Sequence, residues 1–134
     1  MTFSIIAVFA LPAALHAANP VEAPPVAKPS SFADLSLEEA TAARCGTAFA
    51  IVQGWQESGD QRGGAWPRMK EAQARAFFLR AMARLIDRYD LARSDVTRLV
   101  DAETERHLGD NFASVQAMMP ACLALLDTIT STGE

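Results

Sequence analysis

The sequence predicts an all-α fold: a small bundle of four helices, or five if the third one splits, tied by one disulfide. Three observations predict it. Apolar residues recur at spacings of three and four from residue 36 onward, and no alternating run is long enough for a useful strand. The chain also holds just two cysteines, Cys45 and Cys122, one near each end of the periodic region. With 134 residues, half of them apolar, there is material for one domain and not for two.

The expected organisation is a signal peptide over residues 1–18, a Pro-rich flexible linker over 19–35, a helical domain over 36–130 and a tail over 131–134. The stretch MTFSIIAVFALPAALHAANP carries an apolar run from Phe3 to Leu15 with small residues after it at Ala17 and Ala18. A membrane-spanning helix needs about 20 apolar residues, so no stable membrane anchor is expected there. Two features fit a signal peptide poorly: no Lys or Arg precedes the run, so a basic stretch upstream of the given start is expected, and the −3 residue, Leu15 or His16, is not small. Four of the seven prolines fall in residues 19–35, without apolar periodicity.

Export changes how the cysteines read. In an oxidising compartment two thiols pair, and one intramolecular connectivity exists, Cys45–Cys122. The bridge closes a loop of about 78 residues, roughly 4.5 kcal/mol in the chain-entropy model. The close Cys-x-x-Cys spacing of a redox-active pair is missing, so the bridge reads as structural.

The helices follow in order. Ser36 and Glu39 form a capping box, and Leu37, Thr41, Cys45, Ala48, Val52 and Trp55 give the first helix one core-facing stripe. Its opposite face is small (Ala43, Gly46, Ala50, Gly54) and admits a close helix, from this domain or from a second copy in a homodimer through Gly46, Ala50 and Gly54. The stretch QESGDQRGG is a loop. Trp66-Pro67 starts the second helix with proline at the first position. It runs to Tyr89 or Asp90 on a stripe of Phe78, Met82, Leu85 and Tyr89, flanked by Leu79 and Ile86. Ser94 caps the third helix, whose apolar face of Val96, Leu99 and Val100 continues as Glu103, His107 and Asp110. Gly109 and Asn111 mark a break or kink. Helix resumes over 112–119, and Pro120 starts or kinks the last segment with Cys122, Leu125, Leu126 and Ile129.

Two clusters are candidates for function. If the second and third helices form an antiparallel hairpin, Glu71 and Arg75 come level with Glu103, His107 and Asp110. Such a cluster binds an anion, moves a proton or responds to pH; as a bundle-end salt-bridged layer it is only structural, the reading we favour from sequence. The second candidate is a face of Trp66, Lys70, Phe77, Arg80 and Arg84, aromatics among cations as at a protein-contact hot spot. Its alternative is that Phe77 packs on the loop or on the last helix.

Residues 62–93 hold eight basic and three acidic groups (+5), and residues 94–134 hold two and seven (−5). The basic second helix thus answers the acidic third one rather than a polyanion, and the overall charge of −4 argues against nucleic acid. The sequence lacks a Gly-rich phosphate loop, a Gly-x-Ser-x-Gly elbow and a Cys/His quartet, and with both cysteines bridged it has no thiol nucleophile. The expectation is a small periplasmic or secreted bacterial protein, non-enzymatic, without cofactor or metal, that contacts a protein partner in the envelope. The alternative expectation is a small-ligand, pH-responsive or catalytic protein using the Glu/Arg/His/Asp cluster.

Overall fold

A computed structural model describes residues 25–131, all-helical with no strand among them. In chain order they form a 3-10 turn (Phe32–Asp34), α1 (Leu37–Ser58), a second 3-10 turn (Gln61–Ala65), α2 (Glu71–Tyr89), α3 (Arg93–Gly109) and α4 (Ala113–Ser131). The expected signal peptide, the linker as far as residue 24 and residues 132–134 lie outside the described residues.

α1 is the central element, against which both 3-10 turns and all three other helices pack. Its capping box forms as expected: the Ser36 hydroxyl accepts from the Glu39 amide, and the Glu39 carboxylate accepts from the Ser36 amide at 3.2 Å. Gly59 ends the helix at φ 76°, the left-handed conformation glycine adopts without strain. The expected stripe is buried from Cys45 to Trp55, but Leu37 is 85% exposed and Thr41 is exposed too, since nothing packs on the first turn there. The small face is buried as well at Ala43 and Gly46, because a central helix has no solvent side along its middle.

α2 begins at Glu71 rather than at Pro67. The cause is Gln56 of α1, whose amide donates to the carbonyls of Gly63, Trp66 and Pro67 and accepts from the Met69 amide at 3.0 Å. These bonds hold 66–69 as an irregular segment clamped to α1. The buried face of α2 is Ala74, Phe77, Ala81, Met82, Leu85 and Tyr89: Met82, Leu85 and Tyr89 are buried as expected, and Phe77 takes the place expected of Phe78. Leu79 and Ile86 are exposed and Phe78 is half-buried. Phe77 takes the inward place by meeting Phe49 edge-on at 5.2 Å between centroids.

α3 starts at Arg93, one residue before the expected cap Ser94. Asp95 accepts from the Ala92 amide at 2.9 Å and so supplies the cap from inside the first turn. The helix does not split; it ends at Gly109, and Asn111 (φ 53°) and Phe112 (φ 62°) turn the chain through two successive left-handed residues. That conformation is unfavourable for phenylalanine. It is held by the Phe112 ring, which meets Trp55 edge-on at 5.3 Å with the Arg62 guanidinium 5.0 Å from its centroid. α4 then runs unbroken through Pro120, an exposed residue, so the bundle has four helices among the described residues.

Two apolar clusters fill the interior. One joins the later half of α1 to the start of α2 and to α4, around Phe49, Val52, Phe77, Val115, Met119 and the buried Cys45–Cys122 disulfide (Cα–Cα 5.3 Å). The other joins Phe32 and Leu35, the first half of α1, the later half of α2, Leu91 and Leu99. Pro29, Phe32 and Leu35 are buried, so the end of the expected flexible linker belongs to the folded domain.

Candidate functional site

A polar cluster lies where α3 meets α1 and α4. Leu99, Glu103 and His107 recur every four residues on the inward side of α3, so the helix carries its apolar face on into two polar side chains. His107 is fully buried and the Glu103 side chain is 4% exposed. Glu103 receives three cationic or potentially cationic groups. Arg106 donates to it through two nitrogens, at 2.6 and 3.2 Å; His107 Nε2 lies at 3.3 Å and Arg44 Nε at 3.5 Å. The Arg44 and His107 approaches are close enough for charge attraction but poorly aligned, and neither nitrogen has a hydrogen-bond partner among the described residues.

The other imidazole nitrogen, Nδ1, is 2.6 Å from the Ser114 hydroxyl in the first turn of α4. Asp110 caps that turn, its carboxylate accepting from the Ser114 amide at 3.1 Å; the neighbouring Ser114 side chain and this amide hold its pKa below the usual carboxylate range. Burial pushes the His107 pKa below its ordinary value, and the positive charge of Arg106 adds to this. Glu103 and Asp110 oppose it, while Arg44 works in the same direction as Arg106. The arrangement is a chain from Asp110 through Ser114 and His107 to Glu103 and its two arginines, spanning three helices.

Serine, imidazole and carboxylate in line also describe a nucleophilic relay, but the donors such chemistry needs are engaged. The Ser114 amide is bonded to the Asp110 carboxylate and the Ala113 amide to the Asp110 carbonyl. The geometry suits holding a proton and a corner.

The expected partners Glu71 and Arg75 are not in this cluster. Both are exposed and line a shallow groove with Ala50, Gln53, Ala74 and Phe78, because the first half of α2 lies on the second half of α1 and α3 leans on α1 and α4 instead. The hairpin assumed from sequence shares a turn but not that face. Asp110 is present, though as the α4 cap rather than a direct imidazole partner. Arg44, Arg106 and Ser114 were missed. Ser114 stands four residues after Asp110, a helix-start spacing that could have flagged it, whereas Arg44 is brought in by tertiary packing alone.

The aromatic–cationic face is also rearranged. Phe77 is core and Trp66 is half-buried against the same cluster, while Lys70, Arg80 and Arg84 stand exposed; Phe77 still lines a small hollow with Arg80, Arg84 and Ile129. Of the small-residue face, Gly46 is used within the chain: a Cβ there would lie 3.2 Å from the Phe78 Cα. Ala50 and Gly54 remain exposed.

The larger unpartnered surface is on α4. This 19-residue helix is long and apolar enough to cross a membrane by length and composition, with a mean hydropathy of 1.3. No charged residue occurs between Asp110 and Asp127. Val115, Met119, Cys122 and Leu126 are buried, and Met118, Leu123 and Leu125 are partly buried against the same core; the exposed side carries Ala113, Gln116, Ala117, Pro120, Ala121 and Ala124. Comparison with protein-family models, with curated proteins and with solved structures finds no match to this chain.

Proposed function

We propose that this chain is a small exported, non-enzymatic interaction module of the bacterial envelope that presents the outer face of α4 to a protein partner. The observation that carries the reading is that the exposed side of α4 from Ala113 to Ala124 is uncharged and made of small residues, with Gln116 its one polar side chain there. A smooth surface this free of charge fits a docking face. A protein surface suits it better than a bilayer: the disulfide at Cys122 fastens the middle of α4 to buried Cys45 of α1, which would have to follow it into lipid.

The disulfide suggests a non-reducing compartment, in line with the apolar leader read from the sequence. For the partner, Ala117→Arg and Ala121→Arg place charge on the exposed side of α4. In-cell crosslinking in the native host is expected to lose its main adduct with the melting temperature unchanged, whereas Arg80→Glu with Arg84→Glu leaves the adduct in place. An adduct insensitive to the α4 changes but lost with the arginines returns the interface to α2.

A further inference from the structure

We propose that the His107 corner is a proton-operated latch on α4: at mildly acid pH it releases the first turns of the helix while the Cys45–Cys122 bridge keeps the rest in place. This rests on the reading of α4 as the docking helix and adds its regulation.

The geometry carries the argument. His107 is the point where α3 grips α4, through the 2.6 Å bond to Ser114. A neutral imidazole has one proton for two nitrogens. With the proton on Nδ1 it donates to Ser114, and the bare Nε2 lone pair faces the Glu103 carboxylate at 3.3 Å. With the proton on Nε2, Glu103 is satisfied and Nδ1 accepts from the Ser114 hydroxyl, with an Arg106 nitrogen 3.5 Å away as a second donor. A second proton places a cation at a fully buried position. The groups facing the ring are Arg44 from α1, Glu103 and Arg106 from α3, Asp110 at the corner and the Ser114 hydroxyl of α4. Burial and the two arginines outweigh the two carboxylates, so the closed corner disfavours the charged ring.

The hinge is present too. Asn111 and Phe112, both left-handed, join the helices and relax when the corner opens. Opening frees Val115 and Met119, both fully buried, and so extends the apolar face of α4 toward its N-terminus. The bridge at Cys122 stops the opening short of unfolding.

The sign is fixed by the direction of the shift. A ring whose folded pKa lies below its ordinary 6.5 binds protons more readily once released, so the closed state is fully stable above 6.5 and weakens as pH falls through the folded value.

The test is amide exchange on the full oxidised chain, corrected for intrinsic rates, at pH 7.5 and 5. Protection over 108–119 is expected to fall severalfold in acid, with the middle of α1 unchanged. His107→Gln is expected to abolish the difference; its persistence in that variant, or a flat profile in the wild type, overturns the latch. Should His107→Gln not fold, the ring-proton titration of His107 in the wild type decides: a midpoint below 6.5 supports the latch and one above it overturns it. No partner enters these readouts, so failure of the latch is distinct from failure of the α4 docking face, which the crosslinking variants test.

Discussion

The two apolar clusters of this bundle are held by different means. The cluster of α4 draws on parts of the chain far apart in sequence: its disulfide joins residues 77 positions apart, and α4 offers α1 one narrow stripe. The cluster at the opposite end of α1 has no cross-link. It is closed by the 3-10 strap before α1 and by the α2–α3 turn, through directed polar contacts at its rim. There the Tyr89 hydroxyl donates to Glu39 at 3.0 Å, Arg88 pairs with Glu39 at 3.0 Å, and Lys28 pairs with Asp95 at 3.1 Å. One end of the molecule is thus tied covalently through the middle of α4. The other relies on polar contacts between residues 50 and 67 positions apart, with no cross-link.

Breaking the staple is the largest test of that difference. Cys45→Ser with Cys122→Ser is expected to cost about 4.5 kcal/mol, the loop-closure value, if the reduced chain holds no residual structure. Thermal unfolding with and without reductant checks it. Exchange should show α4 released while Phe32, Leu85 and Leu99 stay protected; uniform loss across both clusters would mean that they fold as one unit.

Next come the aromatic anchors. Phe77→Ala in the stapled cluster and Phe32→Ala in the other each remove a buried ring, at about 3–5 kcal/mol. Denaturant midpoints compare them in the reduced and the oxidised protein. The difference between the two backgrounds should be confined to Phe77, because only its cluster shares residues with the bridge.

A smaller pair of changes separates packing from propensity on α1. Gly46→Ala puts a methyl 3.2 Å from the Phe78 backbone and is expected to destabilise by about 1–2 kcal/mol. Gly54→Ala meets nothing within 4 Å and should stabilise by about 0.5–1 kcal/mol through helix propensity. Opposite signs at two glycines of one face show that the close approach is used inside the molecule at Gly46. Equal gains at both would argue that α2 lies farther from α1 than described.

These contrasts also explain what could be read beforehand. Local signals were legible: the Ser36–Glu39 box, the glycine loop and the cysteine pair each depend on neighbours in sequence or on counting. The α2 face was misjudged because Phe77 and Phe78 are adjacent, and the alanines that select between them carry little hydrophobic signal. The α3–α4 corner read as a break or kink, since Asn111 hints at a left-handed residue and Phe112 does not. Glu103 and His107 could be found because they continue an apolar stripe. Their partners Arg44 and Ser114 could not, because which helices flank α3 is a tertiary fact; assuming the α2 hairpin supplied Glu71 and Arg75 in their place.

The finest test concerns the rim of the unstapled cluster in acid. Asp95 is pulled down to about 2, first by the Ala92 amide and then by Lys28 and Arg98. A carboxylate so lowered supports the fold fully above its ordinary 3.8 and loses that support as pH falls toward 2. Because the backbone amide is the leading cause and Lys28 is half exposed, Lys28→Ala should leave the melting temperature at neutral pH unresolved from wild type and keep most of the acid loss. Asp95→Asn, which removes the carboxylate, should flatten the stability profile between pH 4 and 2. If Lys28→Ala flattens it equally, the strap rather than the helix cap holds this end of the molecule, and the two clusters are more alike in relying on long-range ties than their covalent chemistry implies.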